Sequence, residues 1–383
     1  MEMKHSALAE LEFRDLKGAI IHDFPYKKAN RKCPHTALIS ITHSGACVHN
    51  CPMCYARAYP WSSASGGENK LIVYKNLIPK LESEINQASI LPPFYISQVS
   101  DALQPVPEIR KITFDIVKLL MKYKLSFRII TKSADGALEL LKEIPELKKY
   151  PYWYIAITVE ATEEKQKITS PGASKITDRL SAIKELTNAG VPVVGRTDPT
   201  ILGFIGIEEV CENIKQLASA GAKHIIGSLG YYNVLSMGRL VNALENSQWR
   251  NSIPLIEGFY GFKANALNTY PSNKRFMTSL STRIKFHSIL KTAAEKSGLT
   301  YAVCLELPNK YDSQNIKTCE AMPNNFVHIK GVNGEFQPIN CSADCIRSCP
   351  DVQKPLCAVT GKMPFQEYPY KLKELMSKNL PRI

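Results

Sequence analysis

Between about residues 35 and 308, short apolar runs alternate with longer amphipathic stretches. The runs are "TALISITHS", "PFYISQVSD", "SFRIITKS", "YWYIAITVE", "VPVVGRTDPTI", "KHIIGSL" and "LTYAVCLEL". Segments with helical periodicity lie between them, including "NLIPKLESEINQ", "IRKITFDIVKLLMKYK", "ALELLKEI", "ITDRLSAIKELTNAG" and "IEEVCENIKQLASAG". Gly190 and Gly221 stand where two of these helices should stop, just ahead of the next run. Strands separated by helices of this length imply βαβ units and a parallel sheet. The expected fold class is α/β, a partial (β/α)6-type TIM barrel over residues 35–307. Chemistry on such a barrel belongs at the C-terminal ends of the strands. There the sequence places "SQVSDALQPVPE", "TKS", "TVEATEE", "GRTDPT" and "GSLGYYN", each rich in polar or charged groups.

The pattern breaks down outside this region. Residues 1–34 read as an N-terminal arm, and residues 308–383 as a cysteine-rich C-terminal extension. No stretch approaches the length of a membrane span, and the charged start "MEMKHSALAELEFRD" has no apolar core of a signal peptide. The expectation is therefore a cytoplasmic protein with no membrane partner. Reducing cytosol turns attention from disulfides to metal binding or chemistry for the 11 cysteines. Cys211 lies within an amphipathic helix pattern and reads as an inert core residue. A net charge of +13 admits a polyanionic partner, but the lysines are spread along the chain rather than clustered.

The densest chemistry is "ITHSGACVHNCPMCYARAYPW", with Cys47, Cys51 and Cys54 spaced C-x3-C-x2-C directly after the first expected strand. A structural zinc site wants four ligands, commonly as two separated pairs. Three thiolates in one loop leave a corner free, as in a [4Fe–4S] cluster with one iron open to a non-protein ligand. A zinc loop is the alternative.

With the aromatic Tyr55 after the third cysteine, this loop resembles the signature of the radical S-adenosylmethionine superfamily. "SQVSDALQPVPE", "FRIITKS" and "SPGASKITDRLSAIKELTNAGVPV" are similar to segments of its branch containing spore photoproduct lyase. The resemblance runs from about residue 39 to 229. It implies a [4Fe–4S] cluster on the catalytic trio Cys47, Cys51 and Cys54, with S-adenosyl-L-methionine chelated at the open iron. It also implies an electron donor such as ferredoxin or flavodoxin. Carried over by position, Tyr55 offers its backbone to the adenine, and Ser100 and Asp101 approach the methionine amino group or ribose. Lys132 pairs with the cofactor carboxylate, Thr158 and Glu160 face the ribose, Arg196 is a second anchor, and Ser228 borders the adenine. One departure matters. Spore photoproduct lyases carry a hydrogen-returning cysteine in the loop after strand two, whereas "YISQVSD" has none and Gln98 stands at about that place. Tyr231, Tyr232 or another cysteine are the alternatives as donor.

A second cysteine group, "CSADCIRSCPDVQKPLC", holds Cys341, Cys345, Cys349 and Cys357, enough for a closed four-thiolate site. A second iron–sulfur cluster is favoured there over zinc, with Cys304 and Cys319 as further candidate ligands. Cys33, beside His35, reads as packing. The leading functional expectation is hydrogen abstraction from a nucleic-acid or nucleobase-containing substrate. The alternatives are a peptide- or protein-modifying enzyme of the same superfamily, and a non-catalytic zinc-stabilised nucleic-acid-binding protein.

Overall fold

In the computed structural model the seven apolar runs are neighbouring parallel strands of one sheet. It describes residues 10–24, 32–42, 46–59, 62, 70–314, 316, 318–321, 326–339, 356–357, 359–360, 363–364 and 370–378. In chain order the first elements are β1 (Glu10–Arg14), β2 (Ile21–Asp23), β3 (Ala37–Ile39), β4 (Lys70–Tyr74), α1 (Leu77–Gln87), β5 (Ile90–Leu91) and β6 (Phe94–Ile96). There follow α2 (Pro107–Lys122), β7 (Phe127–Thr131), α3 (Ala134–Glu143), β8 (Trp153–Thr158), α4 (Glu163–Thr169), α5 (Ile176–Asn188) and β9 (Val193–Thr197). The remainder comprises α6 (Ile207–Ser219), β10 (His224–Gly227), β11 (Tyr232–Asn233), α7 (Val234–Glu245), α8 (Ile253–Tyr260), β12 (Arg275–Phe276), α9 (Leu280–Lys296) and β13 (Thr300–Val303). Beyond these lie β14 (His328–Lys330) and β15 (Phe336–Pro338).

The main sheet runs β13-β10-β9-β8-β7-β6-β3-β2. Every pairing in it is parallel except β2 against β3. The fold is the expected partial TIM-type barrel, its seven parallel strands matching the seven apolar runs, with β13 joining β10 at the edge. Gly190 and Gly221 end α5 and α6 at φ +84° and +102°, a turn that a residue with a Cβ adopts only with strain.

Alternation along the strands builds two apolar layers. Ile129, Ile155, Ile157, Val193, Ile225 and Val303 point outward and pack with Leu120, Ile183, Ile214 and Leu217 of the helices. The opposite parity fills the barrel interior with a smaller cluster of Tyr154, Ala156, Val194 and Ile226, joined by Ile130 and Cys304. The N-terminal arm is partly integrated into the fold. β1 pairs with β4 in parallel, and β2 extends the main sheet. The C-terminal extension adds β14 and β15, which form a small antiparallel sheet with β5. No helix among the described residues is long and apolar enough to cross a membrane.

Candidate active site

All seven parallel strands deliver their C-terminal ends to one rim, and the loop bearing Cys47, Cys51 and Cys54 follows β3 there. Its three thiols are half-buried. Local hydrogen bonds shape the loop: Asn50 N donates to Cys47 O at 3.1 Å and Cys54 N to Cys51 O at 3.2 Å. Asn50 sits at φ +52°, in the left-handed region that asparagine tolerates better than most residues.

Among the described residues, these outside contacts hold the loop. Val48 N donates to Gln104 Oε1 at 2.9 Å. Gly172 N donates to His49 O at 3.0 Å. A Cβ at Gly172 would lie 2.0 Å from Val48 O, so only glycine allows this approach. Arg239 of α7 donates to the carbonyls of Pro52, Arg57 and Cys54 at 3.2, 3.3 and 3.4 Å. His49 Nε2 lies 2.9 Å from Asp101 Oδ2.

Asp101 gathers donors from three elements. Besides His49, its carboxylate accepts from the Thr131 hydroxyl at 2.8 Å, from Lys132 N at 2.7 Å and from Leu103 N at 2.8 Å. Burial alone would raise its pKa, but His49 and these N–H donors bring it below the usual range. Asp101 therefore ties the cysteine loop to the ends of β6 and β7.

Glu160 is the second node. Lys132 Nζ lies 2.5 Å from its Oε1 and Arg179 Nη1 2.9 Å from its Oε2. Ser170 and Thr169 hydroxyls donate to Oε1 at 2.7 and 3.1 Å. Burial opposes the charge, yet Lys132 and Arg179 hold the carboxyl far below its usual range. Arg179 also donates to Thr158 O at 2.9 Å. Burial lifts the Cys51 thiol to about 11 against the pull of Lys132, and burial beside Asp101 lifts Cys47 as well. Thiols held this way ionise against a strong positive charge such as bound metal.

The remaining expected positions lie around the same rim. Arg196 is ion-paired with Asp198, which holds it charged although burial opposes this. The Ser100 hydroxyl is 2.6 Å from that of Ser97. Tyr55 is half exposed, and its hydroxyl donates to Gln98 O. The Ser228 hydroxyl donates to Glu306 at 2.7 Å. The same Glu306 oxygen accepts from Leu229 N and Gly230 N, while the other faces His287 Nε2 at 2.9 Å. Tyr232 is buried and Tyr231 is exposed.

The cysteines outside the loop divide. Cys211 is half exposed at the edge of α6 rather than fully in the core, and burial raises its pKa. Cys304 borders the interior cluster. Cys357 packs with Ile90, Val327, Leu356 and Leu375. Cys319 lies elsewhere, buried against Cys33 at an Sγ–Sγ distance of 3.8 Å. Cys341, Cys345 and Cys349 lie outside the described residues.

Sequence reasoning missed Arg179, Arg239, His49, His287 and Glu306. One signal was available for Arg179. It occupies the buried stripe Ile176, Arg179, Ile183, Leu186 of α5, where a charge demands a buried partner. No local signal marks Arg239, whose partners lie more than 180 residues away.

The donor set fits an iron–sulfur cluster better than a single ion. Among the described residues, three ligand atoms within 4.8 Å of one another occur at Cys33, Cys319 and Glu320. The loop trio is not gathered that tightly, as befits thiols that ligate different irons. The family model described as the radical SAM superfamily matches residues 41–234. A "radical SAM Nalpha-GlyT isomerase" of Pseudomonas phage M6 is 21% identical over 340 residues, covering 86% of this chain and 66% of the relative. An uncharacterised protein of Methanocaldococcus jannaschii is 27% identical over 170 residues, covering 44% of this chain and 62% of the relative. The alignments thus span just under two thirds of both relatives. Among solved structures, a spore photoproduct lyase mutant superposes at a TM-score of 0.54 with 14% identity, covering 76% of this chain and 81% of that one. Another mutant of that lyase, with bound AdoMet and dinucleoside spore photoproduct, gives 0.50 with 15% identity, covering 69% and 75%.

Proposed function

The chain belongs to the radical SAM superfamily, and from that premise we propose that it is an enzyme acting by hydrogen abstraction on a nucleic-acid or nucleobase-containing substrate. The observation that carries the reading is the position of Cys47, Cys51 and Cys54. They are three half-buried thiols on a loop clamped by Gly172, Gln104, Asp101 and Arg239 at the strands' C-terminal rim. When bound, a [4Fe–4S] cluster and S-adenosyl-L-methionine supply a 5′-deoxyadenosyl radical, and the homolysis belongs to the cofactor.

The protein's part is to bind, orient and exclude water. Lys132 is the cation for the cofactor carboxylate, held in place by its ion pair with Glu160. Arg196, held by Asp198, is a second anchor. Tyr55, Ser100, Thr158 and Ser228 border the adenosyl group, and Asp101 holds the loop rather than the ligand. An electron donor of the ferredoxin or flavodoxin kind delivers the reducing electron. Cys341, Cys345, Cys349 and Cys357 are the candidate set for a second iron–sulfur cluster. Cys319 is in contact with Cys33 instead, at 3.8 Å between the sulfurs.

The substrate class rests on the net charge of +13 and on the dinucleoside bound by the lyase mutant. A base reached by such a radical must be flipped out or single-stranded. Anaerobic incubation with dithionite, assayed for 5′-deoxyadenosine with DNA, tRNA or peptide, tests the reading. Product formation stimulated by nucleic acid, and abolished in Cys51→Ala, is expected. Stimulation by peptide alone overturns the substrate class, and no 5′-deoxyadenosine under any condition overturns the enzyme.

A further inference from the structure

Beneath the interior cluster, at the N-terminal ends of the strands, lies a second group of ligating side chains. Cys33 and Cys319 are both buried, with Ala302 of β13 packed against them. Their sulfurs are 3.8 Å apart. Glu320 completes a trio whose ligand atoms all lie within 4.8 Å of one another, and it too is buried. None of the three takes part in the site at the opposite rim.

We propose that Cys33, Cys319 and Glu320 bind one divalent transition-metal ion of the zinc type, which fastens the N-terminal arm to the C-terminal segment under the barrel. Three observations support this. The first is geometry: metal–sulfur bonds of about 2.3 Å at a tetrahedral ion place two thiolates roughly 3.8 Å apart, the separation found. A cuboidal cluster, with each thiolate on a different iron, would hold them much farther apart. The second is the surroundings. Arg128 Nη1 donates to Glu320 Oε2 at 2.8 Å, and His224 Nε2 lies 2.8 Å from Cys319 O. Ligands oriented by such outer partners are typical of built metal sites. The third is charge. A divalent ion with two thiolates and a carboxylate carries one net negative charge, and the buried Arg128 guanidinium cancels it. Each thiol passes its proton to solvent as its metal–sulfur bond forms, and no redox partner is needed. Three protein ligands leave the fourth position to water.

The joint is placed where a metal would matter. Cys33 follows Lys32, whose ammonium is buried against Asp312 at 2.5 Å. Cys319 N donates to Lys32 O at 3.2 Å. The ion would thus reinforce an existing contact between segments nearly 290 residues apart in sequence.

The test uses the full chain carrying Cys47→Ala, Cys51→Ala and Cys54→Ala, so that failure of the proposed function leaves it unaffected. The protein is stripped of metal anaerobically and titrated with Co2+. A sulfur-to-cobalt charge-transfer band with tetrahedral d–d bands is expected. Cys33→Ser and Cys319→Ser should each lose the same one equivalent, and Cys211→Ser none. Glu320→Gln, which keeps both thiols, should shift the d–d bands while retaining the charge-transfer band. Thermal unfolding guards against misfolded variants. Co2+ should raise the midpoint of the parent by more than that of Cys33→Ser. Equal cobalt uptake by Cys33→Ser and its parent overturns the proposal, as does an unmoved spectrum in Glu320→Gln. So does a Cys33–Cys319 disulfide in anaerobically purified protein, found by alkylation and mass analysis.

Discussion

At the scale of single residues, the candidate site depends on Glu160. It is fully buried and carries two cations, Lys132 and Arg179, on its two oxygens. Breaking a buried pair by removing one partner leaves an uncompensated charge, which typically costs about 3 kcal/mol or more. Glu160→Gln preserves shape and removes the charge. Urea unfolding at pH 7 should show a loss of about 3 kcal/mol, and a loss under 1 kcal/mol would mean that Lys132 and Arg179 find other partners. The residue types at this rim were legible in the sequence, since Lys132, Glu160 and Arg196 stand just past apolar runs. Their partnerships were not. Nothing in "TKS" and "TVEATEE" tells that the lysine of one grips the glutamate of the other. Asp101 shows the same limit. A ligand-facing role was expected of it, and the structure surrounds it with four intramolecular donor groups.

Among elements, the strand ladder was the most legible feature. A buried parallel strand is a short, nearly continuous apolar run, and seven such runs became seven adjacent strands. The helices α7, α8 and α9 were not read, because residues 230–300 lack the strand-to-strand rhythm that framed the others. β2 was hidden for a different reason. Three residues at a sheet edge carry too little pattern to separate them from a loop. The cysteine loop and the turn before α5 meet at Gly172, where backbone touches backbone. Gly172→Ala forces a Cβ to within 2.0 Å of Val48 O unless the loop moves. Strain of that kind costs about 2 kcal/mol. The variant should keep wild-type helix content by circular dichroism and hold less than half the wild-type iron after anaerobic reconstitution. Full iron retention would show that the loop does not depend on this contact.

Across the whole molecule, pH should act through buried neutral histidines. Burial lowers the His328 pKa to about 4, and its Nε2 has no hydrogen-bond partner among the described residues. The ring stacks edge-on with Tyr152. Between the ordinary value near 6.5 and about 4, the unfolded chain binds a proton that the folded chain refuses. Stability therefore falls as pH drops through that window, by about 3 kcal/mol for this group. Denaturant titrations at pH 7 and 4.5 should show the loss, and His328→Phe should reduce it. A variant as pH-sensitive as wild type would place the effect elsewhere. The three-part division drawn from the sequence missed how far the ends are woven in. β1 and β2 join sheets, and Cys33 meets Cys319 beneath the barrel, because contacts between distant segments leave no periodic trace.

The central claim is that Cys47, Cys51 and Cys54 hold a cluster with one iron open to S-adenosyl-L-methionine. Electron paramagnetic resonance of the reconstituted, dithionite-reduced protein, recorded with and without that ligand, tests it most directly. A reduced [4Fe–4S] signal is expected whose g values shift when S-adenosyl-L-methionine is added, with the shift absent in Cys51→Ala. A colourless protein holding zinc at these thiols, or a cluster signal indifferent to the ligand, would contradict it.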